Sequence, residues 1–370
     1  LPKCVNPPIQ KASTILLGEA AALYDADEVR YGRNGLEPQA TLAQALADLE
    51  HGTATRLFPS GLAALAGSIL CLLAAGDEIL VVDCVYGRSR PFFEQTLSRL
   101  GIRTRYIPPC IDADALAALF TPRTRLLLLE SPGSLSYEIQ DVPALVATAR
   151  QAGLLTLVDN SWGAGLLFKP LDHGADISIQ SLTKYVGGHS DCFMGAATLR
   201  DPALIQRYDR AYKDTGWSVS PDDCYQMLRG LKTLEIRLAS HAAGAAHVAG
   251  WLGEHSAVRR ILCPFLPGDP GHSIWKRDFS GHNGLLSFVL DPGRDRAAFA
   301  CLNALRIFGL GFSWGGVESL AIHCNPQMRA RSSAFVPDGP MIRLQIGLED
   351  PQALIADLAQ ALNVYSNCGY

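Results

Sequence analysis

From about residue 39 to residue 181 the chain alternates helical runs with short apolar runs, and this alternation restricts the fold more than any other feature. TLAQALADLE at 41–50 is helical and TATRLF at 53–58 extended. GLAALAGSILCLLAA at 61–75 is helical again, with Ser60 placed to cap it. EILVV (78–82), RTRYI (103–107), TRLLLLE (124–130), LLTLVD (154–159) and DISIQ (176–180) read as further strands. Helical patterns fall at 91–100, 112–120 and 142–153. Strands this apolar need cover on both faces, so the pattern predicts an α/β fold with a mostly parallel sheet sandwiched by helices.

The two ends of the chain have a different character. Residues 1–35, with Pro2, Pro7 and Pro8 and little periodicity, predict an irregular arm. After Pro221, residues 222–255 form one long helical tract with a break near Gly230. Strands are expected at 258–262, 284–290 and 341–347, and helices at 294–305 and 351–362. The expected division is therefore an arm (1–35), a larger domain (36–220), and a helical connector with a smaller α+β domain (221–370).

Composition narrows the function classes. The formal charge is −4 with no basic block, which gives no support for nucleic-acid binding. The ten cysteines (4, 71, 84, 110, 192, 224, 263, 301, 324 and 368) form no CxxC pair and no zinc spacing with histidine. Reduced thiols in a cytoplasm are the expectation, with neither disulfides nor a metal. The most apolar stretch, Leu62 to Ala75, is fourteen residues long and too short to span a bilayer. The first ten residues lack the layout of a signal peptide.

Ligands of open α/β sheets sit beyond the carboxyl ends of the strands, and three polar signals fall there. Ser60-Gly61 opens a helix whose N–H groups and dipole suit a phosphate. Asp159 ends an apolar strand, and Lys184 follows another, between Ser181, Thr183 and a glycine pair. Singly, these also read as a helix cap, a turn acid and a solvated lysine. Together, in this order, they match what pyridoxal phosphate requires: a phosphate cradle, a carboxylate for the pyridine nitrogen, and an amine.

Seven blocks extend the pattern: YGRNG (31–35), FPSGLAAL (58–65), ESPGSLSYEIQDVPALV (130–146), VDNSWGAGLLFKPLDHGADISIQSLTKYVGGHSD (158–191), WKRDFSGHNGLLSFVL (275–290), SWGGVESL (313–320) and IRLQIGLED (342–350). With these blocks the chain closely resembles the trans-sulfuration family of pyridoxal-phosphate enzymes, and within it the cystathionine β-lyases. The resemblance implies an aspartate-aminotransferase-like (fold type I) architecture. It also implies that pyridoxal 5′-phosphate is carried as a Schiff base on Lys184, which doubles as the base at the substrate's Cα. Asp159 would pair with the pyridine nitrogen, Tyr86 would stack on the ring, and Lys184 or Tyr86 would protonate the departing thiol. The amides of Gly61 and Leu62 and the hydroxyls of Ser181 and Thr183 would hold the phosphate. Arg343 would grip the substrate α-carboxylate, with Ser313 and Trp314 lining the same pocket and Ser134 and Asn160 near the cofactor. Tyr31 and Arg33 would reach the phosphate of a neighbouring subunit, in a homotetramer built from dimers that share active sites.

The implied reaction is α,β-elimination of L-cystathionine, a small amino-acid substrate, to homocysteine, pyruvate and ammonia. The rival within the family is γ-elimination or γ-replacement, and Trp314 argues against it, since γ-enzymes resemble SLGG there. A non-catalytic module on the same fold is the rival from another class, opposed by the joint presence of Lys184, Asp159 and Arg343. Two departures stand out. Glu37 and Pro38 are not expected of a β-lyase, and Glu37 reads either as a helix N-terminal acid or as a residue near the substrate mouth that alters specificity. Ser181 replaces an alanine of some β-lyases and adds a phosphate donor.

Overall fold

A strand that must be apolar on both faces is one covered on both faces, and the larger sheet shows this directly. Its seven strands are β1 (Ala54–Phe58), β2 (Glu78–Val82), β3 (Arg103–Ile107), β4 (Thr124–Glu130), β5 (Leu155–Asp159), β6 (Ile177–Ser181) and β7 (Gly195–Leu199). Every residue of β2 and β7 is buried. The structure, a computed structural model, describes residues 4–25, 28–292, 295–332 and 335–367. Pro2, Arg294 and Cys368 lie outside the described residues.

The strand order is β1-β7-β6-β5-β4-β2-β3. All neighbours from β6 to β3 pair in parallel, while β7 runs antiparallel to both β1 and β6. The sequence reading does not include β7, whose GAATL offers small residues rather than the usual β-branched run. The helix Gly61–Leu72 packs on β6 and β7, and Ser60 caps it by accepting the Ala63 N–H at 3.1 Å. The helix Glu37–Leu49 packs on β1, with Glu37 exposed in its first turn and Pro38 buried.

The helical tract after Pro221 divides into Pro221–Leu231 and Leu234–Glu254. A second sheet follows, built from β8 (Val258–Leu262), β9 (Leu285–Leu290), β10 (Gly309–Leu310), β11 (Leu320–His323) and β12 (Met341–Gln345), in the order β10-β11-β12-β9-β8. Neither β10 nor β11 is in the sequence reading. Alternation along β12 sends Ile342 and Leu344 into one apolar cluster with Phe288 and Leu358, so Arg343 between them faces the opposite way. No helix among the described residues is long and apolar enough to cross a membrane.

The exposed edge strand β3 is tied to the buried interior through Glu78. Its carboxylate accepts from Thr124 Oγ1 at 2.8 Å and from an Arg105 guanidinium nitrogen at 2.7 Å. Burial raises the Glu78 pKa, but the bonds from Thr124 and Arg105 and the Arg105 charge outweigh it, so the carboxyl lies below its ordinary range. The stabilisation is present above the unfolded-state pKa and lost as pH falls through the folded one. Glu78→Ala, which strands Arg105, is expected to cost about 3 kcal/mol at pH 7. Urea unfolding measures this, and the gap to the wild type should narrow below about pH 4.

Candidate active site

Parallel strands that end side by side leave a crevice beyond their carboxyl ends. There a cavity of about 680 Å³ opens, lined by Tyr86 after β2, Glu130 of β4, Asp159 of β5 and Ser181 of β6. Ser313, Trp314 and Arg343 close it from the side of the second sheet. Gly61, Leu62, Ser134, Thr183 and Lys184 also line it.

The helix Gly61–Leu72 starts at the cavity. Ser60 satisfies the N–H groups of Ala63 and Ala64, leaving those of Gly61 and Leu62 without a helical acceptor. Position 61 must be glycine, because an added Cβ would lie 2.5 Å from the Cβ of Ser181. Thr183 is more committed: its hydroxyl donates to the Met194 carbonyl at 3.2 Å and accepts the Met194 N–H at 3.1 Å.

Asp159 is half-buried and its Oδ1 accepts the Ser161 N–H at 2.9 Å. Burial raises its pKa, while Ser161 and the Lys184 charge oppose the rise. The β4–β5 register sets Glu130 beside Asp159. Glu130 is pushed well above the carboxylate range by burial and by the Asp159 charge, and it accepts the Tyr86 N–H at 2.7 Å.

The Lys184 amine donates to Ser313 Oγ at 2.6 Å and lies 5.2 Å from the centre of the Trp314 ring. Desolvation and the neighbouring Arg343 charge lower its pKa to about 8, with Asp159 pulling the other way. Ser313 holds a left-handed φ of 73°, and Gly315, at φ 92°, leaves no room for a Cβ, which would stand 2.8 Å from the Lys184 carbonyl carbon. Arg343 is buried and donates to the Ser313 carbonyl at 3.0 Å. Its Nε has no hydrogen-bond partner, and no carboxylate among the described residues pairs with it. A buried guanidinium left in this state calls for an anionic ligand.

With this geometry in view, the match to known proteins is specific. Residues 2–363 match the family model described as "Cys/Met metabolism PLP-dependent enzyme". The chain belongs to this family. It is 44% identical to a cystathionine beta-lyase of Bordetella avium, over 97% of this chain and 92% of that one. It is 42% identical to the cystathionine beta-lyase MetC of Escherichia coli strain K12, over 96% and 92%. A crystal structure of cystathionine gamma synthase from Xanthomonas oryzae pv. oryzae, in complex with cystathionine, superposes with a TM-score of 0.92 at 33% identity, covering 98% of this chain and 94% of that one. The fold is therefore fold type I and the cofactor of the family is pyridoxal 5′-phosphate. The site fits that group: unsatisfied amides at a helix start, a carboxylate at a strand end, and a lysine of lowered pKa stand around one cavity.

Not every residue expected here lines the cavity. The Asn160 side chain is fully buried and turns to Glu50 and to the Phe168 carbonyl, at 2.9 Å from the latter, away from the pocket. Tyr31 and Arg33 are exposed, and they do not line their own chain's cavity. Conversely, Ser161 and Glu130 were missed, although the strand-end rule that singles out Asp159 applies equally to Glu130.

The amine of Lys184 in cofactor-free protein is expected to titrate near 8 rather than near 10.5. Brief acylation followed by mass spectrometry over a pH series measures this. Asp159→Asn should lower the midpoint further and Arg343→Gln should raise it, because their charges act in those opposite directions.

Proposed function

We propose that the protein is a carbon–sulfur β-lyase that cleaves L-cystathionine to homocysteine, pyruvate and ammonia. The observation that carries this reading is the Ser313–Gly316 loop seated on Lys184, with Trp314 against the amine. A γ-reaction requires a second proton from Cβ and so a longer excursion of the lysine, and the Trp314 ring occupies space beside that amine. The two β-lyase relatives, at 44% and 42% identity against 33% for the γ-synthase structure, support the same choice.

The placement of each side chain supports a role in this reaction. Arg343 receives the substrate α-carboxylate, which supplies its missing partner. Lys184, whose lowered pKa leaves more of it as free amine near neutral pH, takes the proton from Cα and returns it to the departing sulfur. Pyridoxal phosphate, when bound, supplies the sink for the electron pair left at Cα. Asp159, backed by Ser161, serves the ring nitrogen, and Tyr86 covers the ring face. Gly61, Leu62 and Ser181 hold the phosphate, joined by Thr183 once its hydroxyl turns from Met194. Water then completes the release of pyruvate and ammonia.

The reading extends to assembly. The arm of residues 1–35 exposes Val5, Leu16 and Tyr24 by 94%, 93% and 86%, apolar surface that a second copy would cover. It ties to its own chain through exposed contacts such as Lys11–Asp222 at 2.7 Å. Tyr31 and Arg33 then serve the phosphate in the partner's cavity, and such dimers pair into a tetramer. The division at 36–220 and 221–370 belongs to the same reading, since β1 to β7 end at Leu199 and β8 to β12 begin at Val258. A cytoplasmic setting goes with it, as Cys71, Cys84, Cys192, Cys224, Cys263 and Cys324 are buried thiols without disulfides.

Product analysis tests the chemistry: homocysteine with pyruvate is expected, and cysteine with 2-oxobutyrate would assign a γ-lyase. Lys184→Ala should lose turnover by about 10²–10⁴-fold or more. The shared site is tested by co-assembling inactive Lys184→Ala and Arg33→Ala chains. Random pairing should restore roughly a quarter of wild-type sites, since each mixed dimer holds one intact site. No recovery, with mixed assembly verified by mass, would return Arg33 to its own chain's site.

A further inference from the structure

Arg88 differs from several arginines around the larger sheet. Arg56 pairs with Asp209 at 2.6 Å, Arg90 with Asp83, and Arg331 with Glu138 at 3.2 Å. Arg88 lines the cavity, is exposed, and has no hydrogen-bond or ion-pair partner among the described residues. Its backbone is nevertheless firmly placed. The Tyr86 N–H is held by Glu130, the Ser89 N–H and hydroxyl both donate to the Tyr86 carbonyl at 3.0 and 2.6 Å, and Arg90 is buried on Asp83. The guanidinium therefore swings from a fixed short turn, Gly87–Ser89, at the rim of the site.

Among the described residues, no carboxylate of the cavity pairs with this guanidinium. The lining carboxylates each have another donor: Glu130 takes the Tyr86 N–H, Asp159 the Ser161 N–H, and Glu318 the Ser190 hydroxyl. The Arg88 charge also acts on the Tyr86 phenol, favouring its anion, and both side chains line the cavity. The cavity thus offers two guanidinium groups at different depths, Arg343 buried and Arg88 at the rim. A substrate with one carboxylate satisfies the buried group and leaves the other in water. A thioether amino acid with a second carboxylate at its far end satisfies both.

We propose that Arg88 binds the distal carboxylate of the substrate and selects dicarboxylic thioether amino acids over small cysteine S-conjugates. This assignment rests on the β-lyase reading above and names the substrate class that the same cavity prefers. A planar guanidinium facing a carboxylate in a partly desolvated cavity forms a charge-assisted, bidentate contact, which a surface ion pair in open water does not match.

The test is the ratio of kcat/KM for L-cystathionine over S-ethyl-L-cysteine, measured as pyruvate release by the holoenzyme. Arg88→Gln should lower the ratio about tenfold, chiefly through KM for cystathionine. Arg88→Lys, which keeps the charge without the fork, should recover part of it. An unchanged ratio, or an equal loss on both compounds, would overturn the assignment. The same ratio is read from binding, by titrating the cofactor's visible absorbance with each compound. A wild-type protein that binds cystathionine but releases no pyruvate would therefore fail the proposed reaction while leaving the role of Arg88 open to this second measurement, where an unchanged binding ratio overturns it.

Discussion

The site depends on the contact between the Ser313–Gly316 loop and the backbone of Lys184. One loop residue, Ser313, accepts the lysine amine through its hydroxyl and the Arg343 guanidinium through its carbonyl. The loop thereby fixes both cations relative to each other, although one follows β6 and the other lies on β12. The close approach is possible because Gly315 has no side chain, and Ser313 bears an uncommon backbone conformation in return. The loop thus joins other ties between the two sheets, such as Tyr185 to Gln345 and Ser287 to the Leu135 carbonyl, and places its own at the cavity.

The acidic side of the cavity is set by strand register. Parallel pairing of β4 and β5 brings Glu130 and Asp159 to adjacent strand ends, and two half-buried carboxyls so placed resist ionising together. Their surroundings resolve the competition. Asp159 has the hydrogen bond from Ser161 and the charge of Lys184 to favour its anion, whereas Glu130 is pushed much further up. Two acids of similar intrinsic strength are thereby shifted to different extents by their environment, with Glu130 accepting the Tyr86 N–H and Asp159 the one proposed to serve the ring nitrogen.

How much of this was legible beforehand varies with the type of signal. The parallel strands were readable because burial on both faces forces continuous apolar runs, and EILVV and TRLLLLE show them. GAATL of β7 was not, since a strand packed against a helix start selects small residues that carry little strand propensity. Lys184 and Asp159 stood out by position at strand ends. Arg343 did not, because an arginine inside a strand has no distinguishing pattern until the fold shows which face is closed. Tyr31 and Arg33 were legible only through family resemblance, and the single chain leaves them in solvent. Asn160 was placed near the cofactor through family resemblance, but alternation along the chain turns it to the side opposite Asp159, and Glu50 takes its amide.

The two cations that the loop fixes are also coupled electrostatically, and the coupling has a direction. The Arg343 charge is one reason the Lys184 amine is held near a pKa of about 8. In the proposed reaction, a carboxylate arriving at Arg343 offsets part of that charge and shifts the Lys184 amine back toward its ordinary basicity. A molecule lacking that group meets a weaker base and an unsatisfied guanidinium at once. On the proposed reading, recognition and base strength are linked through one residue, the buried Arg343, which pairs with no carboxylate among the described residues.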